Sequence, residues 1–162
     1  MLTDRRDDGF ELSDDPARLD LDRVHHWLST DTYWATGRPA EVVRAAVAGS
    51  LPFGIYRPGD GRQVAFARVV TDGAVFAYPA DVYVDRAYRG TGLGRWLVGT
   101  VRDHLAARGL RRFLLTTHDA QGVYAPLGFE HVVPGRWMEC SLQDRHVTSD
   151  TSKDRGATSP LR

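Results

Sequence analysis

Residues 82–109, VYVDRAYRGTGLGRWLVGTVRDHLAARG, decide how this chain is read. A short β-type run gives way to Arg89 and to glycines at 90, 92 and 94, and a helical pattern begins at once. Leu93, Leu97, Val101 and Leu105 fall on one stripe of that helix, Arg95, Arg102 and Asp103 fall off it, and Gly109 is placed to end it. Glycine suits a chain that must enter left-handed conformations, or a backbone that a ligand must approach without a Cβ in the way. The first turn of a helix carries N–H groups with no intrahelical acceptor, and its dipole favours negative charge. Turn and helix together make a nest for phosphate, with Arg89 and Arg95 adding positive charge on either side. A tight turn that binds nothing is the plain alternative at this point. Two nucleotide motifs fail here: counting from Gly90 or Gly92, the last glycine of G-x-G-x-x-G falls on Arg95 or Leu97, and a P-loop would need a lysine that this segment lacks.

Outward from this segment the elements follow in order. Upstream, the β-type runs at 51–57, 62–70 and 74–84 are separated by the turns PGDG and TDG, which predicts an antiparallel meander. Before it, residues 15–29 read as a first helix, capped by Asp15 with Pro16 in its first turn, and residues 38–50 as a second, with Pro39 near its start and Gly49 at its end. The aromatic-bearing loop TDTYWATG, residues 30–37, joins them. Downstream, residues 111–118 read as a strand, 119–128 as a short helix, and 129–133 with 136–142 as a closing hairpin. From Gln143 onward the chain has almost nothing to bury and reads as a polar, disordered tail over residues 143–162.

With 162 residues and 42% hydrophobic content, the chain can bury one well-formed core, so a single domain over residues 1–142 is expected. Its 21 basic and 21 acidic side chains cancel, which leaves no long-range field for nucleic acid or an anionic membrane. An anion site must therefore be local, and a nucleic-acid binder would also need a basic face with interleaved aromatic residues. Cys140 is the single cysteine, the N-terminal stretch has no apolar signal core, and no run approaches the ~18 apolar residues of a spanning helix. A cytoplasmic enzyme or binding protein is the expectation. The six histidines show no paired ligand spacing, and no metal is expected.

The run Arg89-Gly90-Thr91-Gly92-Leu93-Gly94 resembles the acyl-CoA loop of the GNAT superfamily, the Gcn5-related N-acetyltransferases, whose signature is Gln/Arg-x-x-Gly-x-Gly/Ala after a strand. A second motif lies downstream, where Thr117, Ala120, Val123, Tyr124, Gly128 and Phe129 match the offsets of Asn-x-x-Ala-x-x-Leu-Tyr-x-x-x-Gly-Phe. Thr117 for Asn and Val123 for Leu are departures. The resemblance implies an α/β (α+β) fold: a single GNAT-like domain whose central mixed, mostly antiparallel sheet is splayed and flanked by helices.

It also implies a function: transfer of acetyl from acetyl-CoA (coenzyme A) to a primary amine of a small molecule or peptide, in a ternary complex. A module that binds acyl-CoA without catalysis is the rival. The implied cofactor contacts are the loop residues Arg89, Gly90, Thr91, Gly92, Leu93, Gly94 and Arg95, the strand main chain of Val82, Tyr83 and Val84, and the side chain of Thr117. Tyr124 is implied as the acid that protonates the departing thiolate, and a main-chain N–H at Val84 or its neighbour as the oxyanion donor. Asp81 stands as a candidate proton acceptor for the amine, with a plain strand-end acid as its alternative, and His118 and Asp119 are further candidates. On the acceptor side, Tyr33 and Trp34 either wall a pocket or close the core. Arg68, a charge inside an apolar strand, should pair with Asp72, Asp81 or a substrate carboxylate. The acceptor and the oligomeric state, a homodimer among the options, are not legible.

Overall fold

The computed structural model describes residues 1–138. Its strands are β1 (Thr3–Arg5), β2 (Glu11–Ser13), β3 (Leu51–Tyr56), β4 (Gln63–Thr71), β5 (Phe76–Val84) and β6 (Arg112–Phe113); its helices are α1 (Leu21–Asp31), α2 (Ala40–Ala48), α3 (Leu93–Ala106) and α4 (Gln121–Tyr124). The six strands form one sheet in chain order, antiparallel throughout except for the parallel pair β5–β6. This is the expected mixed, mostly antiparallel sheet flanked by helices. Residues 1–130 form one compact unit, and within residues 131–138 a turn joins Arg136 N–H to the Val133 carbonyl.

The strands alternate because each face of the sheet has its own core. On one face Phe53, Ile55, Ala65 and Val69 pack with Leu93, Leu97, Val101 and Leu105, the stripe read from the sequence. On the other, Phe66 and Tyr83 pack with Val24, Trp27 and Leu28 of α1 and Val43 and Val47 of α2. Phe66 and Tyr83 neighbour one another across β4 and β5, while Ala65 and Val84 turn to the opposite face, as a period of two requires. Among the described residues no helix is long and apolar enough to cross a membrane.

One element is additional to the expectations, and three expectations are corrected. The N-terminal segment forms the hairpin β1–β2, which extends the sheet through pairing of Leu12 with Ile55 and is pinned to α3 where Asp4 accepts from Trp96 Nε1 and Thr100 Oγ1, both at 3.1 Å. The helix expected over 15–29 is split: Asp15 caps only the turn Pro16–Arg18, Leu19 is extended, and Asp20 starts α1 by accepting from Arg23 N–H at 3.0 Å. The strand expected over 111–118 is reduced to two residues, because beyond the Leu114 N–H bond to the Ala77 carbonyl it leaves β5. The closing hairpin has no strand over 129–138, and its remainder, like the tail from Gln143, lies outside the described residues.

Candidate functional site

The loop ahead of α3 has the backbone that its glycines allow. Gly90 and Gly92 take φ of +78° and +83°, in the left-handed region, and Gly92 is the residue at which α3 begins. Among the described residues no protein acceptor takes the amides of residues 90–95; the first helical bond of the segment is Trp96 N–H to the Gly92 carbonyl, at 3.0 Å. Gly94 lies inside α3, where glycine costs roughly 0.5–1 kcal/mol against alanine. A Cβ there would meet only Val84 Cγ2 at 3.6 Å, an ordinary contact, so packing within the protein does not demand glycine. Gly94 lines the cleft beside the free amides, with Gly92 and Leu93.

The strand that leads into the loop is open on one side. Parallel pairing of β5 with β6 covers only Phe76 and Ala77, with Leu114 N–H reaching the Ala77 carbonyl at 3.0 Å, and among the described residues the outer edge from Tyr78 onward has no strand partner. The sheet splays there as expected. Asp85 N–H donates to the Val64 carbonyl at 2.9 Å, so Asp85 faces β4 and alternation turns the main chain of Val84 outward; its carbonyl accepts from Arg89 Nε at 3.0 Å. Val82 turns outward with it. Tyr83 turns its main chain toward β4, and its ring stacks on Trp27 with centroids 5.0 Å apart. Burial, aided by its bond to Asp31, pushes the Tyr83 hydroxyl up to about 12.

Midway along this edge is a bulge. Phe66 pairs with Tyr83 and Arg68 with Ala80, so Asp81 and Val82 stand against Ala67 alone. Asp81 takes φ +50°, a left-handed conformation in which Asp is among the few tolerated side chains. Its carboxylate is nearly sealed, with the side chain 4% exposed. Oδ2 accepts from Arg68 Nε at 2.6 Å and from Arg38 Nη1 at 2.9 Å, and Oδ1 from Trp34 Nε1 at 3.2 Å. Of the partners expected for Arg68, Asp81 is the one present. Arg38 escaped the sequence reading because it falls in the RPAEVV run taken as helix; the structure keeps it outside α2, with its carbonyl held 3.1 Å from His25 Nε2. Tyr33 and Trp34 do not close the core: they are 58% and 42% exposed, edge-to-face at 4.9 Å, with His118 stacked edge-on against Tyr33 at 5.6 Å.

Tyr124 ends α4, its ring edge-to-face with Phe129 at 5.7 Å, and among the described residues its hydroxyl meets no protein partner. Burial chiefly, with Tyr33, Asp119 and Tyr78 nearby, raises its pKa above the ordinary tyrosine value. Thr117 has other work than the contact implied for it: its Oγ1 accepts from Ala120 N–H at 3.0 Å and holds the turn into α4. His118 N–H donates to Tyr33 Oη at 3.3 Å.

Two residues that the sequence did not flag hold the loop. Asp31, at the end of α1, accepts from Arg89 Nη2 at 2.9 Å, from Tyr83 Oη at 2.7 Å and from Arg86, and these bonds, Arg86 first, hold its carboxyl well below the usual carboxylate range. Arg6, from the unforeseen hairpin, donates to the Thr91 carbonyl at 3.1 Å. Thr91 Oγ1 turns back to the Tyr88 carbonyl at 2.6 Å, and Thr91 is the one candidate residue that does not line the cleft. The others share a single cleft of about 1130 Å³, which runs from the loop along β5 to Arg38, Arg68 and Tyr124.

This arrangement has counterparts in known proteins. A protein of Gibberella zeae named as an acetyltransferase is 34% identical over 133 residues, spanning 71% of this chain and 75% of its own. A GNAT-family acetyltransferase of Xanthomonas campestris pv. campestris superposes with a TM-score of 0.75 at 44% identity, over 82% of this chain and 93% of that one. The ribosomal-protein-S18-alanine N-acetyltransferase of Escherichia coli shares the fold, with a TM-score of 0.61 at 24% identity over 76% and 79% of the two chains. The model of the acetyltransferase (GNAT) family matches residues 21–129, a stretch that contains the loop, the open strand edge and Tyr124 together, and the chain belongs to that family.

Proposed function

We propose that this protein is an acetyl-CoA-dependent N-acetyltransferase that acts directly on the primary amine of a small molecule or peptide. The observation that carries the reading is the row of unsatisfied amides over residues 90–95 next to an unpaired strand edge. Acetyl-CoA, when bound, supplies an acyl carbon activated as a thioester. The loop amides and the dipole of α3 grip the pyrophosphate, and Arg89 and Arg95, both lining the cleft, add charge. Val82 and Val84 offer their outward main-chain groups to the amides of the pantetheine arm, as in strand addition. Tyr83 serves instead through its side chain, which ties α1 to the strand. An outward N–H of β5, at Val84 or its neighbour Val82, donates to the oxyanion as the amine nitrogen bonds to the acyl carbon.

As the carbon–sulfur bond breaks, Tyr124 hands its proton to the leaving sulfur, and the proton that the attacking nitrogen sheds passes through water and restores the phenol. A phenol with a reference pKa of ~10 stays protonated at neutral pH and so is loaded to donate; its transfer to a thiolate whose conjugate acid lies at ~8.5 is uphill and is drawn forward by formation of the amide. Asp81 is a fixed counter-charge for Arg38 and Arg68 rather than the proton acceptor, because three donors already occupy its carboxylate. The test is thiol release measured with acetyl-CoA and a panel of amines. Acceptor-dependent release, cut about 100-fold or more in Tyr124→Phe with unchanged coenzyme A affinity, supports the reading. Binding of coenzyme A with no release from any amine would leave only a binding module.

A further inference from the structure

The acceptor end of the cleft is out of electrostatic balance. Arg38 and Arg68 share one carboxylate, that of Asp81, and their side chains are only 22% and 15% exposed. Two guanidinium groups against one carboxylate leave a positive charge in a partly desolvated wall, which is costly unless an anion completes it. The other acids of the cleft do not do so: Asp31 is engaged by Arg86 and Arg89 at the loop end, and Asp119 is exposed and close to Tyr124. Arg68 uses only Nε on Asp81 and Arg38 only Nη1, and among the described residues no acceptor meets their remaining donors. Both arginines stand on ordered main chain. Arg68 lies in β4 paired with Ala80, one residue from the bulge, and the main chain of Arg38 is fixed by the His25 contact to its carbonyl and by its own N–H on the Ala35 carbonyl at 3.0 Å.

Resting on the acyl-transfer reading, we propose that the acceptor is a small amine carrying its own anionic group, a carboxylate or a phosphate, which docks on Arg38 and Arg68 while its amino group points along the cleft toward Tyr124. Guanidinium groups bind such oxyanions with paired, charge-assisted hydrogen bonds. Trp34 and Tyr33 wall the same end, and Trp34, through Asp81, keeps the arginines in place.

The test uses matched pairs of amines that differ in the anion alone: L-phenylalanine and its amide, β-alanine and its amide, and O-phosphoethanolamine and ethanolamine. Each is titrated calorimetrically into the protein saturated with coenzyme A, whose own binding is measured first. At least one anionic member should bind ten times or more tightly than its neutral partner, and the pair that shows the preference tells carboxylate from phosphate. Arg38→Gln and Arg68→Gln should each erase most of that ratio while coenzyme A affinity is kept; because the ratio is internal, a partly destabilised variant still reports, and Arg38→Gln alters the more exposed of the two. Equal affinities within every pair, no binding by any anionic member, or a ratio that survives in both variants would overturn the proposal while coenzyme A binding leaves the acyl-transfer reading standing. Failure to bind coenzyme A would instead remove that reading.

Discussion

The two ends of the cleft are built from different parts of the chain. At the loop end the binding groups are main-chain amides of one continuous segment, residues 90–95, held from outside by Asp31 and Arg6. At the acceptor end they are side chains drawn from three places: Trp34 and Arg38 from the connection between α1 and α2, Arg68 from β4, and Asp81 from a bulge in β5. A main-chain site is insensitive to most side-chain changes and serves one constant ligand. A side-chain site can be altered residue by residue and serves whatever acceptor the protein has. The first kind leaves a motif in the sequence, and the second leaves almost none.

Substitutions sort by the end they touch. The largest effect is expected between the ends, where Tyr124→Phe should lower kcat by about 100-fold or more and leave coenzyme A affinity unchanged, as steady-state rates and calorimetry would show. An equal loss of affinity would make Tyr124 part of the binding wall. Next comes Gly94→Leu, which puts a branched side chain over the loop amides; coenzyme A affinity should fall tenfold or more. Gly94→Ala, which the family signature permits at this position, should keep or slightly raise the melting temperature, since alanine is the better helix former by roughly 0.5–1 kcal/mol, and leave coenzyme A affinity close to that of the parent. Were Gly94→Leu to bind coenzyme A normally, the space above Gly94 would not be where the ligand lies.

A pH profile sharpens the division further. An amine with a lysine-like reference pKa of ~10.4 must be neutral to attack, whereas burial holds Tyr124 above its usual ~10, so with such an acceptor the acid is still protonated where the nucleophile is gaining. Thus kcat/KM should climb through pH 9 with no falling limb; a descent beginning below pH 9 would mean that some group other than Tyr124 is the acid. The smallest effect is expected at Thr117→Ala. One hydrogen bond at the turn into α4 is lost, worth about 1 kcal/mol of stability, and coenzyme A affinity should not change. A clear drop in that affinity would restore Thr117 to the cofactor contacts.

What was legible follows the same division. The helical stripe of α3, the meander of β3, β4 and β5, and the glycine loop are long local patterns, and the fold builds them where the residues indicate. The hairpin β1–β2 was not legible because its strands, TDR and ELS, are three residues each with Leu12 their one apolar side chain, and take their place by main-chain pairing with β3 and by Asp4 on α3. The first helix was overread because Asp15 and Asp20 are both competent caps, and only the extended Leu19 between them separates their turns. Within the site, Arg68 announced itself as a charge in an apolar strand. Arg38 and Asp31 did not, since their partners lie 43 and 58 residues away in the chain.

The central claim is that free amides at the start of α3 grip a diphosphate. Titration of coenzyme A into the protein, followed by backbone amide NMR, tests it most directly. Saturable binding with the largest shifts at residues 90–95 and along the outer edge of β5 is the predicted result. No saturable association, or saturation that leaves those amides unmoved, would contradict it.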